Sequence, residues 1–185
     1  KRPTNLNGIM HNKFAIFDGR DATNENDWVW TGSFNWTSSE LNWRNNAIEI
    51  NDHNLASAYT KEFEEMWGSN TDEPNSTLAK FGSQKIDNTP HVFDVNGVPI
   101  SLYFSPSDNT EEKIRTSILT ADSSLYFALL IFTSDNIYNA ISNRYQSGLR
   151  DIRGIIDDIN AQGSEFSKLS AFAQMFDYNL SNTLH

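Results

Sequence analysis

His11-Asn12-Lys13-Phe14-Ala15-Ile16-Phe17-Asp18, followed by Gly32-Ser33-Phe34-Asn35, is the stretch on which the reading of this chain turns. Its alternation is that of a strand: Ile9, His11, Lys13, Ala15 and Phe17 share one face, and Met10, Asn12, Phe14 and Ile16 the other. Asp18-Gly19 is a turn signal. A second strand is expected over residues 28–36, with Val29, Thr31, Ser33 and Asn35 on one face. A hairpin would bring that polar row beside His11 and Lys13. An imidazole and a fixed positive charge on one face supply the nucleophile and the counter-charge that attack on a phosphodiester requires. The ordinary fates of such residues are a satisfied structural histidine and a snorkelling surface lysine. Ser33 and Asn35 in the same pattern favour the functional reading. Asp18 has the opposite strand parity to His11 and is expected to brace the turn.

Outward from this stretch, residues 46–50 read as a third strand. Asn51 or Asp52 caps a helix running to about Trp67, with Gly68 past its end. Leu55, Tyr59, Phe63 and Trp67 are spaced by four, which predicts a buried stripe. Residues 71–97 are polar, contain Pro74 and Pro90, and read as a linker. The texture then changes. A short strand over 100–104 precedes a helix opened by Asp108 or Thr110, with Ile114, Ile118 and Leu119 on its buried side. A nearly all-apolar strand over 124–132 follows, as in a sheet covered on both faces. Ser134 or Asp135 caps another helix, ending at Gly148, and a strand over 152–156 follows. This βαβαβ order predicts a parallel α/β sheet.

The chain has 185 residues, 38% of them hydrophobic and 12% aromatic, enough for one or two domains with a real core. No apolar run is long enough to cross a bilayer. The absence of cysteine excludes disulfides, cysteine-ligated zinc and thiol catalysis within these residues. With 24 acids against 14 bases the net charge is −10, which disfavours non-specific binding to a nucleic-acid backbone. His53, at a helix start, and His91, in a polar connection, are read as structural. The chain begins at Lys1 with no initiator Met or signal-peptide pattern, so it is expected to be a fragment.

The residues His11-Asn12-Lys13 to Asp18, then Gly32-Ser33-Phe34-Asn35, resemble the HKD signature of the phospholipase D superfamily, which includes phospholipases, nucleases and related phosphodiester-processing enzymes. Tyr103-Phe104-Ser105-Pro106, the apolar strand and Arg153-Gly154-Ile155-Ile156-Asp157 are similar to the opening of another repeat. The resemblance implies an α/β fold with a mixed or parallel sheet flanked by helices, built from two incomplete repeats. Residues 1–70 would be the closing half of the first repeat, 71–97 a linker, and 98–185 the opening half of the second.

The family places its active site between two repeats, each giving one HKD motif. By that likeness His11 and Lys13 are catalytic, Asp18 completes the motif, and Lys13, Ser33 and Asn35 hold the substrate phosphate. His185 would be the histidine of the second motif. One histidine attacks phosphorus; the other protonates the leaving oxygen, which typically speeds such a step about 10²- to 10⁴-fold, and then activates water. No metal and no cofactor are expected, because lysine and amide donors meet the charge. The partners implied are a phosphodiester, either nucleic acid or phospholipid, and a second HKD motif from the rest of the chain or from a homodimer. Without one, the isolated chain is expected to be inactive.

Two departures from the family pattern stand out. The spacer from Asp18 to Gly32 is long and extends the hairpin. Relatives often carry an acid after G-S-x-N that orients a catalytic histidine; here Asn45 takes its place, with Glu40 or Glu49 as substitutes. An amide does not stabilise imidazolium by charge. The competing reading is therefore a non-catalytic module of the same fold with an eroded site.

Overall fold

Period-two alternation before the first helix produces an antiparallel sheet of β1 (Phe14–Phe17), β2 (Trp28–Gly32) and β3 (Ala47–Asn51), in that spatial order. The structure is a computed structural model and describes residues 9–178. Phe14 lies opposite Thr31, Ala15 opposite Trp30, and Ile16 opposite Val29. This corrects one expectation. Val29 and Thr31 share the face of Phe14 and Ile16, not that of His11 and Lys13. Burial sets the register: Val29 is fully buried in the core that Phe14 and Ile16 pack against, and a slip of one residue would turn it to solvent.

That core is closed by α1 (His53–Trp67). Asp52 caps it, accepting a hydrogen bond from the Leu55 N–H at 2.8 Å, and Gly68 ends it with φ of 80°. Leu55, Ala56, Ala58 and Tyr59 are buried, but the stripe of four does not continue inward. Phe63 is 41% exposed and stacks on Trp67.

Residues 71–97, expected as a linker, pack back on α1. The Asn75 N–H donates to the Trp67 carbonyl and the Lys80 N–H to that of Glu65. Glu62 and Lys85, both buried, form an ion pair. The stretch ends in β4 (Val92–Val95), which pairs antiparallel with β5 (Val98–Ser101). Their turn is Asn96-Gly97, with φ of 53° and 83°. Two positive φ values in a two-residue loop suit Asn-Gly and make a tight hairpin. The strand expected over 100–104 is therefore one arm of a hairpin, with Ile100 opposite Phe93, and not the first strand of a parallel sheet. Phe93, Leu102 and Phe104 join the first core, and this compact unit ends at Asn109.

The second unit begins at Thr110. It holds α2 (Thr110–Leu119), β6 (Ser124–Leu129), α3 (Asp135–Gln146), β7 (Asp151–Ile156), α4 (Phe166–Leu169) and β8 (Gln174–Asp177). β6, β7 and β8 are parallel neighbours in that order. Ile118, Phe132, Ala140, Ile141, Leu149, Ile152, Ile156 and Leu169 form its core. Within this unit only one face of the sheet is covered: Tyr126 is 58% exposed, Ile155 46% and Phe176 50%. The expectation that β6 is covered on both faces is corrected to that extent. Antiparallel and parallel sheets with flanking helices make the α/β fold class expected of the sequence.

Candidate active site

His11 is exposed, and the half-buried Lys13 follows it just ahead of β1. The Lys13 ammonium donates to the His11 carbonyl at 2.7 Å, which leaves two of its three hydrogens. Asn12, between them, donates to Glu62 of α1 at 3.4 Å. Parity therefore sends Asn12 towards α1 and His11 and Lys13 to the other side. The Thr31 hydroxyl donates to the Lys13 carbonyl at 3.2 Å and ties this entry to β2.

β2 ends at Gly32, and the chain leaves the sheet there rather than at residue 36. The reason is steric. A β-carbon at Gly32 would lie 2.2 Å from the Asn46 carbonyl oxygen and 2.8 Å from the Ala47 Cα, both backbone atoms of the adjacent segment. Gly32→Ala is expected to break this end of the β2–β3 pairing and cost at least about 2 kcal/mol. Urea unfolding of the variant beside the parent chain measures it.

Ser33, Asn35, Glu40 and Asn45 form one hydrogen-bonded chain. Asn35 Nδ2 donates to Glu40 Oε1 at 2.5 Å, and Asn45 Nδ2 to Glu40 Oε2 at 2.7 Å. The Ser33 hydroxyl donates to Asn45 Oδ1 at 3.0 Å and accepts from the Asn46 N–H at 3.0 Å. Its single hydrogen is thus committed within the loop. Glu40, 3% exposed, lies in a 3₁₀ turn over Ser38–Asn42 and is the hub. The Asn35 amide holds its carboxyl below the usual carboxylate range; burial opposes this, and Asn45 and the positive charge of Lys13 reinforce it.

Of the two acids expected to substitute for one at position 45, Glu40 is the one held in this loop, accepting from both Asn35 and Asn45. Glu49, the other option, is exposed on β3 opposite Trp30. A depressed carboxyl stabilises the fold above its unfolded value, about 4.3, and loses that contribution as pH falls through the folded one. Glu40→Gln sets an amide donor against two others. Its thermal midpoint is expected to fall by several degrees at pH 7, the gap closing below about pH 4. Melting both proteins across pH checks this.

Asp18 sits in the turn after β1, exposed, with φ of 61°. Its carbonyl accepts from the Asp21 N–H at 3.0 Å. At about 3.3 Å per residue, β1 carries the chain some 16 Å from Lys13 to this point. The structure thus links Asn35 directly, and Ser33 through Asn45, to Glu40, and leaves Asp18 at the far end of β1. His185 lies outside the described residues.

Sequence reading missed the Glu62–Lys85 pair beneath Asn12, which no local pattern signals. It also missed that His53 Nδ1 lies 2.6 Å from Asp27, a buried carboxylate at the start of β2. No helix among the described residues is long and apolar enough to cross a membrane.

The sequence profile described as "Cardiolipin synthase, PLD-like domain" matches residues 1–67. The mitochondrial cardiolipin hydrolase of Xenopus tropicalis is 40% identical over 62 residues, 32% of this chain and 26% of the relative. That of Xenopus laevis is 41% identical over 61 residues, again 32% and 26%. That of Chlamydomonas reinhardtii is 37% identical over 59 residues, 31% and 23%. The matched segments span about a quarter of the length of these relatives. No solved structure matches. The profile covers His11, Lys13 and the whole loop around Glu40, and it is through these residues that the chain is similar to the PLD-like domain.

Proposed function

We propose that this chain supplies one HKD half-site of a phosphodiester hydrolase. In this reading His11 attacks phosphorus, forming a P–N bond as the ester P–O bond breaks. The leaving oxygen takes its proton from a second histidine. That histidine then deprotonates a water, which displaces the phosphoryl group and frees His11. Lys13 and the second amide hydrogen of Asn35 meet the non-bridging oxygens. Ser33 braces the loop through Asn45, and Asp18 braces the turn. The chemistry uses nitrogen nucleophiles and fixed donors and requires no metal.

The second histidine belongs to another HKD motif, for which His185 is the proposed residue, or to His11 of a second copy of the chain. The repeat reading is part of this proposal: residues 1–70 close one repeat and 98–185 open the next. The β4–β5 hairpin sits in the first compact unit.

One observation carries the reading. Lys13 is tied through its carbonyl to Thr31, two residues before the loop in which buried Glu40 holds Asn35. This pre-organises cation and amide around one locus, as an oxyanion in transit requires.

A phospholipid is favoured over nucleic acid. Trp36, Leu41 and Trp43, on the same loop as Asn35, are 70%, 76% and 62% exposed, an apolar rim suited to acyl chains. The net charge of −10 disfavours a polyanionic strand. The relatives' name, cardiolipin hydrolase, points the same way.

Cardiolipin in mixed micelles and a single-stranded oligonucleotide, offered over a range of protein concentrations, test this. Release of phosphatidic acid, with specific activity rising with concentration if two copies share the site, is the expected result. Cleavage of the oligonucleotide alone would move the substrate to nucleic acid. No turnover and no acid-labile phosphoprotein with the full-length parent protein, and no difference in its His11→Ala variant, would leave the binding-module reading.

A further inference from the structure

We propose that Asp87, His91 and Asp108 form a site for a divalent transition-metal cation of the zinc class, independent of the HKD chemistry. One ligand atom from each lies within 4.8 Å of the others. His91 Nδ1 is 2.9 Å from the Leu102 carbonyl oxygen. A carbonyl only accepts, so Nδ1 carries the hydrogen, and the lone pair of a neutral ring sits on Nε2. Nε2 lies 3.1 Å from Asp87 Oδ2. A cation seated there would take the place of the hydrogen between Nε2 and the Asp87 carboxylate. Backbone carbonyl to Nδ1–H with Nε2 directed outward is the outer-shell arrangement that orients histidine ligands in metal sites. The Tyr103 ring, stacked on His91 at 4.6 Å, holds the plane.

The third donor is built in. Asp108 is 4% exposed, and its oxygens accept from the Phe104 N–H at 2.7 Å and the Ser107 hydroxyl at 2.6 Å. Each oxygen keeps a second lone pair. Asp87, with its side chain 51% exposed, is the arm free to close on an ion. One imidazole and two carboxylates suit Zn²⁺, with water completing a tetrahedron at about 2.0–2.2 Å from the metal. The ligands flank the β4–β5 hairpin, so the ion would clip its two ends together.

Tag-free full-length chain is titrated with Zn²⁺ by calorimetry and with Co²⁺ by visible absorption. One ion per chain with Kd of about 1–10 μM is expected, with a thermal midpoint several degrees higher at saturating Zn²⁺. Asp87→Asn and His91→Gln, checked for folding by circular dichroism, are each expected to weaken binding at least about 10-fold. His53→Gln, which alters a histidine outside the cluster, is expected to leave it unchanged. The proposal is overturned if neither ion binds below about 1 mM, if binding survives both cluster variants, or if His53→Gln abolishes it.

Discussion

Lys85→Met is expected to destabilise the first unit by about 3–5 kcal/mol at neutral pH, because it leaves the Glu62 carboxylate buried without a counter-charge. Glu62 is 2% exposed and Lys85 9%, and the Lys85 ammonium also lies 5.7 Å from the Phe104 ring centroid. Burial already raises the Glu62 carboxyl above the usual range; the bond and charge of Lys85 oppose this, and Glu65 and Asp108 add to the rise. A carboxyl raised in the folded state favours folding below its unfolded value, about 4.3, and that contribution is lost as pH rises through the folded value. Removing Lys85 raises the folded value further, so the deficit of the variant grows between about pH 4 and pH 7. Urea unfolding at those two pH values measures it. The double variant Glu62→Leu/Lys85→Met is expected to recover most of the loss, since a buried pair exchanged for apolar side chains is often neutral. A constant deficit at both pH values, or no recovery in the double variant, would show that packing and not charge is at stake.

His11→Ala is expected to lower phosphodiester turnover at least about 10³-fold and to abolish any acid-labile phosphoprotein. Stability is expected to stay within about 0.5 kcal/mol of the parent, because His11 is exposed and precedes β1. That separation matters. Glu62 accepts from Asn12, so damage under the motif alters the fold first and the chemistry second. His11 instead tests the chemistry alone. Turnover and phosphoprotein measured beside a melting curve give the answer, and equal turnover in both proteins would remove His11 from the mechanism.

Local signals carried α1 and the second unit far. Asp52 and Gly68 bound α1 as their chemistry requires, and Ser134 caps α3 by accepting from the Ile137 N–H at 3.2 Å. Residues 152–156 form most of β7, paired in parallel with β6. Asn96-Gly97 carries an equally local hairpin signal, which the polar stretch before it masks by resembling a linker. The site was legible as residue types and illegible as geometry. Alternation places Ser33 and Asn35 on one strand face with Val29, whereas Gly32 turns the chain out of the sheet and both side chains serve a loop.

Spacing and residue chemistry alone determined the H-x-K-x4-D pattern, the alternation that separates Asn12 from His11 and Lys13, the helix caps and the α/β class, because each depends on bonds and periods within a few residues. Tertiary structure alone decided that Glu40 is the acid at the centre of the loop, that Lys85 answers Glu62, and that Asp87, His91 and Asp108 meet. Those choices depend on which distant side chains share a buried space from which water is excluded, and there an unpaired charge or donor costs too much to be left alone.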